Sequence, residues 1–209
     1  MARYEDVHPV DPQPRIVSRT VEKMREEKAL IAYPTSSGYA LGCSMGNLEG
    51  RDRMQRIRAL REGHHFTLLC RDFAQLGQVV DVSNTVFRAV KAATPGPYTF
   101  ILRATPEVPR RLSHTKKHTV GVRITADPLA QALLAELGEP MLTTTLILPG
   151  EETPMTEGWL VKDELDHVVD IVLDTGECGL EPTTVVDLST GTAEILRYGA
   201  GDPSPFEID

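Results

Sequence analysis

The chain of 209 residues carries 22 Lys and Arg against 30 Asp and Glu, with 41% hydrophobic residues, a globular balance that excludes disorder, collagen and coiled coil. Apolar runs such as Ala29–Tyr33 are too short for a bilayer, Met1–Arg15 lacks a signal-peptide core, and Cys43, Cys70 and Cys178 lack Cys-x-x-Cys spacing, so secretion, membrane insertion, structural zinc and a disulfide framework lose support and a reducing cytoplasm is expected. Residues 14–123 hold 19 Lys or Arg against 9 Asp or Glu, and residues 124–209 hold 2 against 18; either the first half binds an anion, such as nucleotide phosphate, a carboxylate or RNA, or the acidic half neutralises it within one fold.

Ala2–Pro14, with three prolines, reads as an extended arm that covers a sheet edge or stays free. From Arg15 to Lys28, Ile16, Val17, Val21 and Met24 recur at helical spacing, and the apolar segment Ala29–Tyr33 follows as a strand. The next stretch, Pro34-Thr35-Ser36-Ser37-Gly38-Tyr39, offers hydroxyls at that strand's carboxyl end, where α/β sheets bind ligands. Gly42-Cys43-Ser44-Met45-Gly46 has the Gly-x-Ser-x-Gly pattern of a hydrolase nucleophile elbow. With the preceding strand ending near Tyr33 and no assignable acid and histidine partners, it reads as a glycine-rich turn.

Asn47–Arg61 forms a basic helix, with Asn47 as N-cap and Met54, Ile57 and Leu60 as its buried stripe. Strands are expected at Phe66–Cys70, Tyr98–Arg103, Thr119–Ile124, Thr143–Leu148, Val168–Leu173, Thr184–Leu188 and Ala193–Arg197. Helices are expected at Phe73–Val80, Asn84–Thr94, Pro128–Leu137 and Val161–Asp166. The alternation indicates a single α/β (α+β-like) domain over residues 14–200 with a mixed sheet, an arm over 1–13 and a tail over 201–209.

No P-loop and no Gly-x-Gly-x-x-Gly fingerprint occurs, so a nucleotide site must be built differently. His64-His65 and His114-x-x-x-His118 sit among cations and read as phosphate contacts or plain surface rather than metal ligands. Arg123, in a strand of alternating pattern, either clamps a carboxylate or forms a structural ion pair.

Several ordered motifs together resemble the YrdC-like domain family, the threonylcarbamoyl-AMP synthase superfamily. They are Pro34 to Cys43, the Arg-rich helix, Pro95-Gly96-Pro97-Tyr98-Thr99, Gly121-Val122-Arg123, Pro182-Thr183-Thr184-Val185-Val186-Asp187 and Ile195-Leu196-Arg197-Tyr198-Gly199. Arg56-Ile57-Arg58-Ala59-Leu60, Gly63-His64, Val108-Pro109-Arg110-Arg111-Leu112 and Gly138-Glu139-Pro140-Met141-Leu142 place it nearest the YciO branch. The resemblance implies a twisted mixed sheet with flanking helices and a concave basic surface. It also implies binding of ATP with Mg2+, L-threonine and bicarbonate, formation of threonylcarbamoyl-adenylate for N6-threonylcarbamoyladenosine in tRNA, and contact with double-stranded RNA or tRNA.

By position, the resemblance assigns Thr35 to the amino acid and Arg123 to the substrate cleft and catalysis. Arg58 takes the place of a nucleotide-contacting catalytic lysine, Thr145 and Thr183 replace serines, and Arg197 approaches the nucleotide. Active synthases carry Lys-x-Arg and Ser-x-Asn pairs, whereas this chain has Arg58-Ala59-Leu60 and Thr145-Leu146-Ile147. Arg61 is a replacement cation for Leu60, rotated by about 100° if the helix continues. Weak catalysis and non-catalytic nucleotide or RNA binding are the two readings that result.

Overall fold

Pairing distributes the chain into one mixed sheet in the computed structural model, which describes residues 1–61, 64–176 and 178–207. Gly63, part of one family motif, lies outside the described residues, as does the end of the expected tail. The ten strands are β1 (Arg3–Asp6), β2 (Ile31–Thr35), β3 (Gly38–Ser44), β4 (Thr67–Cys70), β5 (Tyr98–Arg103), β6 (Thr119–Ile124), β7 (Met141–Thr145), β8 (Ile171–Asp174), β9 (Thr184–Asp187) and β10 (Glu194–Arg197), in the order β1-β8-β2-β3-β7-β4-β6-β5-β9-β10. The pairs β1/β8, β2/β8, β4/β6 and β5/β9 are parallel and the rest antiparallel.

Helix α1 (Pro14–Glu26) starts on proline and buries Val17, Thr20, Val21 and Met24 along one stripe. It packs with α5 (Pro128–Leu137), whose Asp127 cap accepts from the Ala130 amide at 2.8 Å. Helices α2 (Leu48–Ile57), α3 (Phe73–Val79), α4 (Asn84–Ala93) and α6 (Gly158–Leu165) contribute to the apolar cluster of the opposite sheet face. That cluster takes the alternate residues Leu68 and Cys70 of β4, Phe100 and Leu102 of β5, and Val120 and Val122 of β6. On the other face α1 and α5 pack over Ile31, Tyr33, Ala40, Leu69, Met141, Ile171 and Leu173. These two helices therefore pack mainly over β8, β2, β3 and β7, and none of the helices among the described residues packs over the outward residues of β6, β5 and β9.

The arm covers a sheet edge, as the strand β1 paired with β8. Two differences from the sequence reading matter. The hydroxyl-rich stretch and the expected glycine-rich turn after it form a hairpin, β2 to β3. Its tight corner needs Gly38, with φ 86° and a would-be Cβ only 2.4 Å from Pro154 Cγ. Second, α2 stops at Ile57 rather than Arg61, because Ala59 takes a left-handed φ of 48°. The final segment also joins the sheet. Thr184 Oγ1 donates to Gly201 O at 2.6 Å, and Phe206 packs edge-on to Tyr98 and Phe100 at 5.7 and 5.5 Å between ring centres.

Candidate functional site

The uncovered half of the sheet face is the floor of a cavity of about 550 Å³. Strands β4, β6, β5 and β9 contribute alternate residues, Thr67 and Leu69, Gly121 and Arg123, Thr99 and Ile101, and Val185, and β7 adds Thr143, Thr144 and Thr145. Gly121 lies between Thr67 and Ile101 in register, so the middle of the floor carries no side chain. A Cβ there would meet Thr67 Oγ1 at 2.9 Å. The loop residues Glu152, Thr153 and Pro154 and the segment from Leu180 to Thr183 form further parts of the lining.

Three arginines converge on this space. Arg58 arrives from the C-cap of α2, where the turn at Ala59 ends the helix, and its Nη1 donates to Thr144 Oγ1 at 2.5 Å. Arg123 rises from β6 and donates through Nη2 to Ser36 Oγ at 3.0 Å. Arg197, at the end of β10, donates to Thr183 O and Thr183 Oγ1, both at 2.9 Å, and Thr183 Oγ1 pairs with Thr99 Oγ1 at 2.9 Å. Among the described residues none of the three is ion-paired with a carboxylate. The Nε atoms of Arg58 and Arg123 and the hydroxyl of Ser37 are buried without a hydrogen-bond partner. Burial lowers the pKa of each guanidinium from the usual arginine value, yet arginine stays cationic in proteins. A cluster of retained, unpaired positive charge is costly unless an anion joins it.

Of the residues singled out from sequence, Thr35, Arg58, Arg123, Thr145, Thr183 and Arg197 all line the cavity. Thr35 Oγ1 donates to Gly38 O at 2.7 Å and accepts from Ser37 N at 3.0 Å, so it shapes the hairpin corner as well. Arg61 is a correction: it is exposed and does not line the cavity. Leu60 also lies elsewhere, in a shallow groove with Asp52, Gln55 and Arg56. The physical reason is the end of α2 at Ile57, which removes the helical rotation that would have related both residues to Arg58. Ile147 does line the cavity.

The Gly42–Gly46 turn is a second correction. Strand β3 runs directly into it and α2 leaves it, the geometry that the sequence reading denied. Ser44 Oγ nevertheless takes no hydrogen bond among the described residues, so the turn holds no nucleophile–base pair.

Sequence reasoning did not single out Tyr33 and Asp127. Tyr33, pushed up to about 12 mainly by burial, bonds Thr143 Oγ1 at 2.8 Å and closes one side. The alternation of β6 points to residue 123, but Asp127 follows after the strand has ended. His64 and His65 also line the cavity. His64 is pushed down to about 4 by burial, then by Arg58 and His65, and burial followed by His114 lowers His65.

The Sua5_yciO_yrdC family model, described as Telomere recombination, matches residues 23–199. The uncharacterized protein YciO of Escherichia coli is 47% identical over 206 residues, covering 99% of this chain and 100% of that protein. Its crystal structure superposes with a TM-score of 0.94 at 46% identity, over 99% of this chain and 100% of the other. A threonylcarbamoyl-AMP synthase of Vibrio vulnificus is 29% identical over 184 residues, 86% of this chain and 96% of that protein. The crystal structure of P. abyssi Sua5 complexed with L-threonine shares the fold, with a TM-score of 0.84 at 23% identity, over 94% of this chain and 57% of that one.

Proposed function

The chain belongs to the Sua5/YciO/YrdC family, and from that premise we propose that it binds ATP and forms threonylcarbamoyl-adenylate from L-threonine, bicarbonate and ATP at a low rate, in the chemistry of N6-threonylcarbamoyladenosine in tRNA. The observation that carries the reading is the convergence of Arg58, Arg123 and Arg197, unpaired among the described residues, on one cavity. In this reaction the amine joins bicarbonate with loss of water. The carbamate oxygen then bonds to the α-phosphorus as pyrophosphate leaves. Charge collects on phosphate oxygens throughout, and fixed guanidinium and hydroxyl dipoles stabilise it without an acid or base of unusual strength. Arg58 and Arg197, with Thr145 and Thr183, serve the nucleotide; Arg123 and Thr35 serve the amino acid.

Mg2+ supplies charge neutralisation when it accompanies the nucleotide. Among the described residues no group of three or more His, Cys, Asp or Glu is arranged to hold a metal, so the ion fits as one carried by the phosphates. No described helix is long and apolar enough to cross a membrane, and a cytoplasmic location is part of the proposal.

The decisive test is mass spectrometry of products after incubation with ATP, bicarbonate and each amino acid in turn. Arg58→Ala is expected to weaken ATP binding by about 1–3 kcal/mol, the range of a charge-assisted hydrogen bond. Unchanged affinity in calorimetry would put the phosphates elsewhere. The low rate traces to Ile147, which lines the cavity without a donor or acceptor. Ile147→Asn is therefore expected to raise product formation, whereas Leu60→Arg, outside the cavity, leaves it unchanged. A gain from Leu60→Arg would contradict this assignment.

ATP affinity should also depend on pH. His64 and His65 have lowered pKa values and are neutral near pH 7. A nearby polyphosphate favours their protonated forms, so binding takes up protons and tightens as pH falls below neutrality toward about 4, the value of unliganded His64. Calorimetry in buffers of different ionisation enthalpy reads that uptake, and its absence would move the phosphates away from the histidines.

A second reading, non-catalytic binding of nucleotide or of double-stranded RNA or tRNA, rests on Ile147 and on the exposed basic residues Arg110, Arg111, Lys116 and Lys117. Tight ATP binding with no product from any amino acid would favour it.

A further inference from the structure

The cavity is cationic, yet a carboxylate stands in it close to Arg123. Asp127 lines the same space four residues beyond that arginine, at the start of α5. Its Oδ1 accepts from the Ala130 amide at 2.8 Å, and its Oδ2 takes no hydrogen bond among the described residues. Both charges line the one cavity, but they do not close into an ion pair. Arg123 keeps Nε buried and unpartnered while Nη2 is engaged by Ser36. A guanidinium and a carboxylate that line one cavity, each with a free polar atom and without direct contact, are the complement of a small molecule carrying both charges. Leu69, Ala130, Pro34 and Tyr33 line the same cavity and offer apolar contact to a short side chain.

We infer that Asp127 anchors the ammonium group of an α-amino acid whose carboxylate lies on Arg123. The inference rests on the amino-acid half of the proposed function and adds to it the residue that recognises the amine. A purely anionic ligand seated on Arg123 would be repelled by Asp127, whereas the nucleotide phosphates belong to Arg58 and Arg197. The acidic side chain thus selects within a cavity that otherwise takes any anion.

The test uses the full chain and two acids, L-threonine and 3-hydroxybutyrate, which is threonine without its α-amine. Asp127→Asn removes the charge and retains the cap, because the amide oxygen still accepts from Ala130; Asp127→Ser is the second variant if the first unfolds. The unaltered protein is expected to bind L-threonine at least about 10-fold more tightly than 3-hydroxybutyrate, as an ionic hydrogen bond supports. Asp127→Asn should bring the two within about 3-fold, with ATP affinity unchanged. A preference that survives the substitution overturns the inference and leaves the proposed function standing. Loss of ATP affinity with threonine binding intact also overturns it, and moves Asp127 to the nucleotide hydroxyls. Binding of neither acid by the unaltered protein overturns both the inference and the amino-acid half of the proposed function.

Discussion

Arg123→Ala is expected to lower adenylate formation by about 100-fold or more, the loss typical of removing one preorganised donor from a reacting centre. Arg123 is the cavity arginine that combines a buried, unpartnered Nε with a neighbouring carboxylate. Its guanidinium presents donors in a planar fork that matches a carboxylate through two parallel hydrogen bonds. Arg123→Lys keeps the charge but loses the fork, so it should recover only a small part of the rate. The side chain stands on the uncovered half of the sheet face, and neither substitution should shift the melting temperature by more than a few degrees. Turnover measured by product mass, with denaturation in parallel, separates the two effects. A rate within 3-fold of the unaltered protein would remove Arg123 from the chemistry.

Phe206→Ala should have the largest effect on stability, about 3–5 kcal/mol, as for other buried phenylalanines truncated to alanine. Phe206 is 5% exposed and packs edge-on to Tyr98 and Phe100, which themselves stack at 5.7 Å. The surrounding segment is tied down by bonds from Thr184 to Gly201, from Tyr98 to Asp202 and from Ala200 N to Pro182 O. Relaxation of the chain end into the void would be hindered by those ties, which keeps the cost high. Chemical denaturation reads the change directly. A loss below about 1 kcal/mol would show that the segment is dispensable to the sheet.

Sequence made some of these features legible and hid others, for physical reasons that differ residue by residue. Strands β5 and β6 were legible to their ends because alternation, turn residues and branched side chains agree there. Helices α3, α4 and α5 were legible because caps at Asp72, Ser83 and Asp127 stand before apolar residues at helical spacing. Strand β3 was not. Its residues Gly38 to Cys43 are buried throughout, so no polar alternation marks it, and glycine and serine in that stretch mimic a loop. The end of α2 was hidden for a different reason. Ala59 is an excellent helix former, and only the fold imposes a left-handed conformation on it.

The cavity itself was legible one residue at a time, through Arg58, Arg123 and Arg197. What brings them together is the strand order, which no local pattern carries. Asp127 escaped notice because a helix cap explains it fully in sequence, and only its free oxygen beside Arg123 gives it a second role.

The strand order also bears on how the chain reaches this state. Strand β1 pairs with β8, with Arg3 opposite Ile171, and β2 leans on the same strand. During synthesis the hairpin of β2 and β3 can close early, but its outer edge and all of β1 wait until residues 171–174 have emerged. Contacts of such sequence separation carry a heavy loop-closure cost, so folding should be slow for a chain of this size. A nascent chain halted before β8 presents an unpaired apolar edge, Ile31 to Tyr33, to its neighbours. This late-formed seam of the sheet is thus a place where misassembly during production would begin, and β2, which borders it, also carries Tyr33, Pro34 and Thr35 into the cavity.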